Sequence, residues 1–570
     1  MKTEQKIPSQ SMRRIVLLLM FVVIVALLMW RVVYLQVFNK GFLQDQGSAR
    51  HLRTVSIAAH RGMIMDRNGE ALAISTPVES IWVNPSMLVN QRQLLPQLTK
   101  ILNLDLELVE QTLAERMDRE FVYLKRHVNP DTAKQVLALE AEGVFTQREY
   151  RRYYPAGEVV SHVLGFTNID DRGQEGIELA YEEWLKGTPG KKRVIKDRLG
   201  RVIEDVENIK TSSAGKDLRL TIDRRIQYLA YRELKAAIKL NKARSGSAVM
   251  LDVDTGEVLA VVNQPSFNPN NRKNTRISQY RNRAITDVFE PGSTIKPFTI
   301  AMALESNKYR PTTMIDTTPG TLKVGRNTIR DMRNYGNIDV SHVITKSSNV
   351  GVSKIALSLE AEQIWTMFNR LGFGSATASG FPGESAGLLS HFSRWHPIEQ
   401  ATLSFGYGLS VTPLQLAHAY SVLAAEGLSR PVSFIRQDAP VAGERIISAK
   451  VVREVREMMK TVVSREGTGL QASVHGYQVA GKTGTIHKSA AGGYSNDRYI
   501  AVFAGFAPAS DPRLALVVMI NDPGGEQYYG GQVAAPVFSR VMSGALRLMD
   551  IAPDNLPAMQ TLRIDEEEHS

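Results

Sequence analysis

Cysteine is missing from all 570 residues. That removes disulfide frameworks, thiolate metal sites and a cysteine nucleophile, and it suits an oxidising compartment, where stray thiols are a liability. Two familiar hydrolase signatures are also missing: there is no Gly-x-Ser-x-Gly elbow and no His-Glu-x-x-His pair. The eleven histidines are scattered. His391 and His396 stand five apart beside Pro397 with neither a cysteine nor a carboxylate pair nearby, so no metal and no other cofactor is expected. The net charge is +11, from 69 basic and 58 acidic residues, but no single run concentrates the excess, so nucleic acid is not expected as a partner. Long apolar runs are absent with one exception, at the N-terminus.

That exception is Ile15 to Trp30, sixteen uninterrupted apolar residues, extended past Arg31 by Val32-Val33-Tyr34-Leu35-Gln36-Val37-Phe38. A cleaved secretory signal has an apolar core of about 7–15 residues and a small-x-small cleavage site, and neither fits. Arg31 can snorkel beside Trp30 and Tyr34, so 15–38 is read as an uncleaved single anchor. Lys2, Lys6, Arg13 and Arg14 against only Glu4 keep residues 1–14 in the cytoplasm and place everything after about residue 39 outside. The expected location is the inner membrane, crossed once, with the bulk of the chain periplasmic. The basic excess then reads as mild affinity for anionic headgroups or acidic wall polymer.

Three short clusters carry the chemistry: Ser293-Thr294-Ile295-Lys296, Ser347-Ser348-Asn349 and Lys482-Thr483-Gly484-Thr485. Ser-x-x-Lys alone is weak, since about two chance matches are expected in a chain this long. Ser213-Ala214-Gly215-Lys216 is such a match, in a Ser/Gly-rich connector that would hold nothing on one face. Ser293 differs. Phe289-Glu290-Pro291-Gly292 reads as a turn, and Ile295 to Leu304 as an apolar helix with Pro297 tolerated in its first turn. Residues three apart share a helical face, so the Lys296 amine can reach the Ser293 hydroxyl, and a desolvated lysine is neutral enough to act as its base.

Gly476-Tyr477-Gln478-Val479-Ala480-Gly481-Lys482-Thr483 also fits the phosphate-binding P-loop pattern at every specified position. Context decides against a nucleotide. A P-loop runs from a strand into a helix, whereas here a loop is followed by the apolar strand Tyr499-Ile500-Ala501-Val502-Phe503. His487 reads as a loop histidine at the rim.

Ile209 to Lys216 is a natural cut. Beyond it come a strand at Leu218–Ile222, a helix capped by Asp223, a hairpin of Ser247–Val253 and Glu257–Val262, late strands Arg498–Ala507 and Leu514–Ile520, and a helix from Ala535 to Met549. Two early strands and three late ones imply an antiparallel sheet closed by both ends of the domain, α+β and not doubly wound. Before the cut, Arg61 to Ala73 reads as a hairpin about Asn68-Gly69, and Gly173-Gln174-Glu175-Gly176-Ile177-Glu178 opens a helix with Gly187 past its end. No catalytic constellation is visible there; its charges are read as pins for interdomain contacts or partner surfaces.

In that order and spacing, Ser-x-x-Lys, Ser-x-Asn and Lys-Thr-Gly resemble the penicillin-interacting transpeptidase and serine β-lactamase superfamily. Arg61-Gly62, Arg152-Tyr153-Tyr154-Pro155, Phe121-Val122-Tyr123-Leu124 and Ser404-Phe405-Gly406-Tyr407-Gly408 narrow this to class B penicillin-binding proteins, and within them to the division-specific, FtsI-type branch. The resemblance implies an elongated mixed α/β pedestal at 39–215 and a transpeptidase domain at 216–549, with a five-stranded antiparallel sheet, packing helices and an all-helical lobe. A tail at 550–570, ending in the acidic Asp565-Glu566-Glu567-Glu568, lies outside the resemblance and is read as disordered.

By the same resemblance Ser293 is the acylated nucleophile and Lys296 its base. Ser347 shuttles a proton, Asn349 holds the substrate amide and Lys482 sets the local positive potential. Thr483 and Thr485, flanking Gly484, bind the terminal carboxylate. The backbone N–H groups of Ser293 and Thr485 form an oxyanion hole, worth roughly 3 kcal/mol per donor. The implied activity is D,D-transpeptidation of peptidoglycan stem peptides in septal wall synthesis, blocked covalently by β-lactams, with a septal glycosyltransferase and other division proteins as partners. D,D-carboxypeptidase or β-lactamase chemistry, and a slowly turning over penicillin-binding scaffold or sensor, stand as alternatives.

Overall fold

The structure is a computed structural model describing residues 10–41, 52–196, 202–437, 439, 441–490 and 493–556. The expected cytoplasmic residues 1–9 and the acidic tail fall outside the described residues. An α-helix runs from Gln10 to Val33 and continues as a wider turn to Phe38. Its apolar stretch, Met12–Phe38, has 27 residues. At 1.5 Å per residue it is about 40 Å long, enough to cross a bilayer, and it fits a single-pass anchor.

Contacts divide the chain into two compact units that alternate along the sequence: 1–60, 77–150 and 187–214 form one, and 61–76, 151–186 and 215–570 the other. The first has its own core, in which Ile81 and Val83 of one strand meet Leu95, Leu98 and Leu102 of a short helix and Val109 and Leu113 of the next. Asn103 ends the first of these helices in the left-handed conformation, and Asp105 caps the second by accepting from Leu108 N. A separate antiparallel sheet of this unit pairs Leu52–Ile57 with Gly190–Lys196, and that strand with Val202–Lys210.

The second unit is built on a five-stranded antiparallel sheet in the order Val258–Gln264, Ser245–Asp252, Leu514–Asn521, Gly493–Ala507, Ala480–Ala490. Early and late strands therefore alternate only once, and Ser245–Asp252 pairs directly with Leu514–Asn521. The central strands are apolar throughout because both faces are covered. Val249, Leu251, Ala515 and Val517 face the larger core with the helical lobe. Met250, Leu516, Val518 and Ile520 face the helices Arg224–Leu240 and Ala535–Leu548. Asp223 caps the first of these by accepting from Arg225 N, as its sequence position predicts.

The hairpin at Asn68-Gly69 joins Ile64–Met65 to Ala71–Val83, and Gly69 takes φ +91°. The helix expected from Gly176 breaks at Tyr181 into Gly176–Ala180 and Glu182–Leu185. Of the charges read as pins for interdomain contacts or partner surfaces, Arg67 pairs with Glu257 and Glu158 with Lys235, whereas three others turn inward. Arg61 Nε donates to Glu178 Oε2 at 2.8 Å and Arg152 Nε to Glu178 Oε1 at 2.6 Å, all three buried. One carboxylate thus ties two guanidiniums; Arg61 also reaches Glu182 Oε2 at 2.7 Å, so removing Glu178 would strand Arg152, at a cost of about 3–5 kcal/mol.

Candidate active site

The serine turn is held by a neighbouring loop. Phe289 and Val411 exchange backbone hydrogen bonds at 3.0 and 2.9 Å, and Gly292 N donates to Gly406 O at 3.1 Å. A Cβ on Gly406 would stand 2.1 Å from Gly292 O, and Gly406 has φ +87°, so glycine is required there twice over. From this clamp the chain makes a 3-10 turn, Gly292–Ile295, and enters the helix Lys296–Glu305. Lys296 to Leu304 are all buried, which is why the segment lacks a polar face. Tyr420 OH donates to Thr294 O at 2.8 Å and Thr299 Oγ1 to Ser404 O at 2.9 Å, fixing the helix start from two sides.

Lys296 is fully buried. Its Nζ donates to Ser347 O at 2.6 Å, Ser347 Oγ at 3.1 Å and Asn349 Oδ1 at 2.8 Å. Lys482, equally buried, donates to the same Ser347 Oγ at 2.9 Å. A hydroxyl has two acceptor lone pairs and one proton, so Ser347 Oγ accepts from both lysines and keeps its own proton to give. Ser347 itself sits at φ +60°, an uncommon conformation for a serine, and this aims its carbonyl and hydroxyl at one amine. Burial pushes Lys296 well below the ordinary lysine range, with the neighbouring Lys482 acting in the same direction and Asp331 against it. Burial alone brings Lys482 down to about 7.

Asp331 went unnoticed in the sequence, where it is one acid in a loop. Its Oδ2 accepts from Ser348 Oγ at 2.6 Å, and its Oδ1 accepts from Asn349 N at 2.5 Å and Val350 N at 3.0 Å. Ser348 Oγ also accepts from Gly351 N at 2.8 Å, capping the helix Asn349–Leu357. The carboxylate at this helix N-terminus fixes the Ser347-Ser348-Asn349 corner.

The third cluster lies on the edge strand Ala480–Ala490, where Lys482 pairs with Ala504 and Thr485 with Ala501. No helix follows Thr483, so the P-loop pattern has no structural counterpart. A Cβ at Gly484 would lie 3.1 Å from Thr294 Cγ2 and 3.2 Å from Pro291 O; the strand runs close against the serine turn. Thr485 Oγ1 accepts from Gly530 N at 2.9 Å, and Thr483 and Thr468 share a hydroxyl hydrogen bond at 2.7 Å. Ser293, Ser347, Asn349, Thr483 and Thr485 line one cleft of about 700 Å³. Ser293 Oγ makes no hydrogen bond to Lys296 among the described residues, a looseness common before substrate tightens a site. His487 lies on this strand and not in a loop; it lines the cleft, with Nδ1 donating to Ser495 O at 2.9 Å. Tyr499, Tyr528 and Tyr529 form an aromatic wall that no local pattern signals, with ring centroids 4.1 and 4.4 Å apart in succession.

Residues 246–543 match the penicillin binding protein transpeptidase domain, and 56–220 the penicillin-binding protein dimerisation domain. The peptidoglycan D,D-transpeptidase FtsI of Escherichia coli K12 is 46% identical over 536 residues, covering 93% of this chain and 91% of its own. The probable peptidoglycan D,D-transpeptidase PenA of Neisseria meningitidis is 42% identical over 558 residues, 97% of this chain and 96% of its own. Among solved structures, the transpeptidase domain of Burkholderia pseudomallei penicillin-binding protein 3, an apo structure, superposes with a TM-score of 0.55 at 42% identity, covering 59% of this chain and 98% of that one. The sheet closed by both ends of its domain and the family match over it are those of a penicillin-binding serine transpeptidase. With relatives this close along nearly its whole length, the chain belongs to the FtsI family of class B penicillin-binding proteins.

Proposed function

We propose that this protein cross-links peptidoglycan stem peptides at the division septum through a Ser293 acyl-enzyme. Burial favours the neutral form of Lys296, which keeps two N–H donors, gives up the longest of its three contacts and takes the Ser293 proton on the freed lone pair, while Oγ attacks the penultimate D-alanyl carbonyl carbon. The developing oxyanion accepts hydrogen bonds from the backbone N–H groups of Ser293 and Thr485. As the peptide C–N bond breaks, Ser347 passes its proton to the departing D-alanine amine and is resupplied by the lysines around it. Asn349 holds the substrate amide, and Thr483 and Thr485, beside Gly484, take the terminal carboxylate under the positive potential of Lys482. An amine of a neighbouring stem then attacks the ester, forming the new amide and returning the proton to Ser293. A β-lactam enters by the same attack, but its leaving amine stays tethered and shields the ester.

The observation that carries this reading is the Ser347 hydroxyl held by two buried lysines within one cleft with Ser293. The relatives' names supply the reaction, and the resemblance to the division-specific branch suggests the septum. On this reading residues 1–14 are cytoplasmic and the catalytic face is periplasmic; 39–215 serve as pedestal and 216–549 as catalyst. A septal glycosyltransferase and other division proteins are the partners. The full chain in detergent, incubated with benzylpenicillin, is expected to gain one drug mass on the peptide carrying Ser293. No adduct, or an adduct elsewhere, overturns the assignment. Hydrolysis of the acyl-enzyme by water despite a supplied stem amine would make the enzyme a carboxypeptidase, and full division by Ser293→Ala would make it a scaffold.

A further inference from the structure

The cleft that holds Ser293 runs on past the threonines placed at the terminal carboxylate, and the residues there have no part in the chemistry described so far. Arg465, Thr468 and Gln471 of one loop line it together with Lys346. Thr468 shares a hydroxyl hydrogen bond with Thr483 at 2.7 Å, and Lys346 directly precedes Ser347, so this end adjoins the place the departing D-alanine occupies. The loop is held on both sides of Arg465. Before it, a Cβ on Gly467 would stand 2.2 Å from Val462 O, and Gly469 N donates to the same carbonyl at 2.9 Å, folding the loop against the end of the helix Ala449–Val462. After it, Lys346 Nζ donates to Glu466 O at 3.0 Å.

The charge at this end is positive. Among the described residues no aspartate or glutamate lines the cleft. Asp331 is engaged with Ser348 and Asn349, Glu466 approaches Lys346 to 3.8 Å, and Glu457 pairs with Lys460 at 2.7 Å. On the helical side, exposed Arg330 and Arg333 flank Asp331; Arg330 O accepts from Asn349 Nδ2 at 3.1 Å, and the Arg333 guanidinium lies 5.4 Å from the ring of Tyr335, another lining residue. Arg465 itself is exposed and makes no hydrogen bond or ion pair among the described residues, so its guanidinium keeps its five N–H donors for a ligand.

We propose that Arg465 binds a second carboxylate on the acceptor amine, so that the acyl-enzyme is resolved by amines of acidic amino-acid type in preference to their amidated counterparts. This subsite serves the Ser293 acyl-enzyme proposed above and rests on that reading. The departing and incoming amines are the same step run in opposite directions, so the acceptor enters from the side D-alanine vacates. Its nitrogen bonds to the acyl carbon, the bond from that carbon to Ser293 Oγ breaks, and the surplus proton on nitrogen passes through Ser347 and the lysines to Oγ. An acceptor of amino-acid type sets its α-carboxylate on Thr483 and Thr485, where the D-alanine carboxylate was. Its remaining chain passes Thr468 and puts a further carboxylate on Arg465, whose planar fork takes it through two parallel hydrogen bonds. For a stem peptide, this calls for a free carboxylate beyond the residue that carries the amine.

The test gives the full chain in detergent an acyl-D-alanyl thioester ending in a carboxylate, with D-glutamate and D-glutamine present together at equal concentration, and quantifies the two amide products by mass spectrometry. These acceptors share shape and α-carboxylate and differ by one negative charge. Both compete for one acyl-enzyme, so the product ratio does not depend on the acylation rate, and comparing proteins cancels the intrinsic reactivity of the two amines. The ratio of D-glutamate to D-glutamine product is expected to be at least about fivefold higher in the wild type than in Arg465→Gln, with Arg465→Lys between them and added salt shrinking the difference. Equal ratios in wild type and Arg465→Gln overturn the proposal. So does a slower acylation of Arg465→Gln with an unchanged ratio, which would put Arg465 on the donor's own carboxylate, and so does hydrolysis alone with both acceptors present. Benzylpenicillin separates the two readings: an adduct on Ser293 with an unchanged ratio defeats only the acceptor subsite, whereas neither adduct nor amide product defeats the acyl-transfer reading and the subsite with it.

Discussion

Ser-x-x-Lys occurs at 293–296 and at 213–216, and only one of the two became a site. Lys296 is fully buried with three hydrogen bonds fixing its amine. Lys216 is exposed, its amine resting 4.5 Å over the Trp184 ring, and Ser213 is an exposed residue bridged to Thr188 through the backbone. The difference lies outside the four-residue motif. Gly292 against Gly406, a helix buried on every side, and a second lysine brought from 186 residues away turn an ordinary amine into one that holds its proton poorly. A pattern is reactive only where the fold removes water from it.

The largest contrast between the two motifs is expected from Lys296→Ala, which should slow acylation by fluorescent penicillin about a thousandfold, in the range for losing a general base, while the melting temperature changes little. Normal acylation with a large loss of stability would make Lys296 a structural residue. Next comes Asp331→Ala, which frees three donors at the Ser348–Asn349 corner and should cost about tenfold to a hundredfold in acylation through misplacement of Ser347 and Asn349. Because Asp331 holds the Lys296 pKa up, its loss should also move the rising limb of the acylation–pH profile to lower pH, which a purely structural defect would not do.

Gly406→Ala forces a methyl group onto Gly292 O and should destabilise the protein by about 1–3 kcal/mol, read by thermal unfolding, with slower acylation from the displaced serine turn. pH sharpens the comparison further. Acylation requires the neutral Lys296 amine, so the rate should rise with pH and level off well below the ordinary lysine range. The lysines' effect on stability has a definite sign. The folded state holds Lys482 at about 7, whereas the unfolded chain keeps it charged to about 10.4. Unfolding therefore takes up a proton in that window, and the Lys482 contribution to stability improves as pH rises from about 7. Replacing it, as in Lys482→Met, should remove that part of the slope in unfolding measured between pH 7 and 9. The smallest effect is expected at the other motif: Ser213→Ala should leave penicillin labelling and melting unchanged.

Residue order alone determined a good deal here. The apolar run at 15–38, the cap at Asp223, the turn before Ser293 and the alternation of early and late strands are local signals, because backbone geometry and desolvation act over a few neighbouring residues. The three motifs were legible because their chemistry demands fixed residue types at short spacing. Tertiary structure decided what no window of sequence contains. It put segments 61–76 and 151–186 with the catalytic unit, turned Arg61, Arg152 and Glu178 inward, and brought in Asp331 and the tyrosine wall. It also set the proton affinity of two lysines, since desolvation and the field of a neighbour depend on distances in space, and those exist only once the chain has closed on itself.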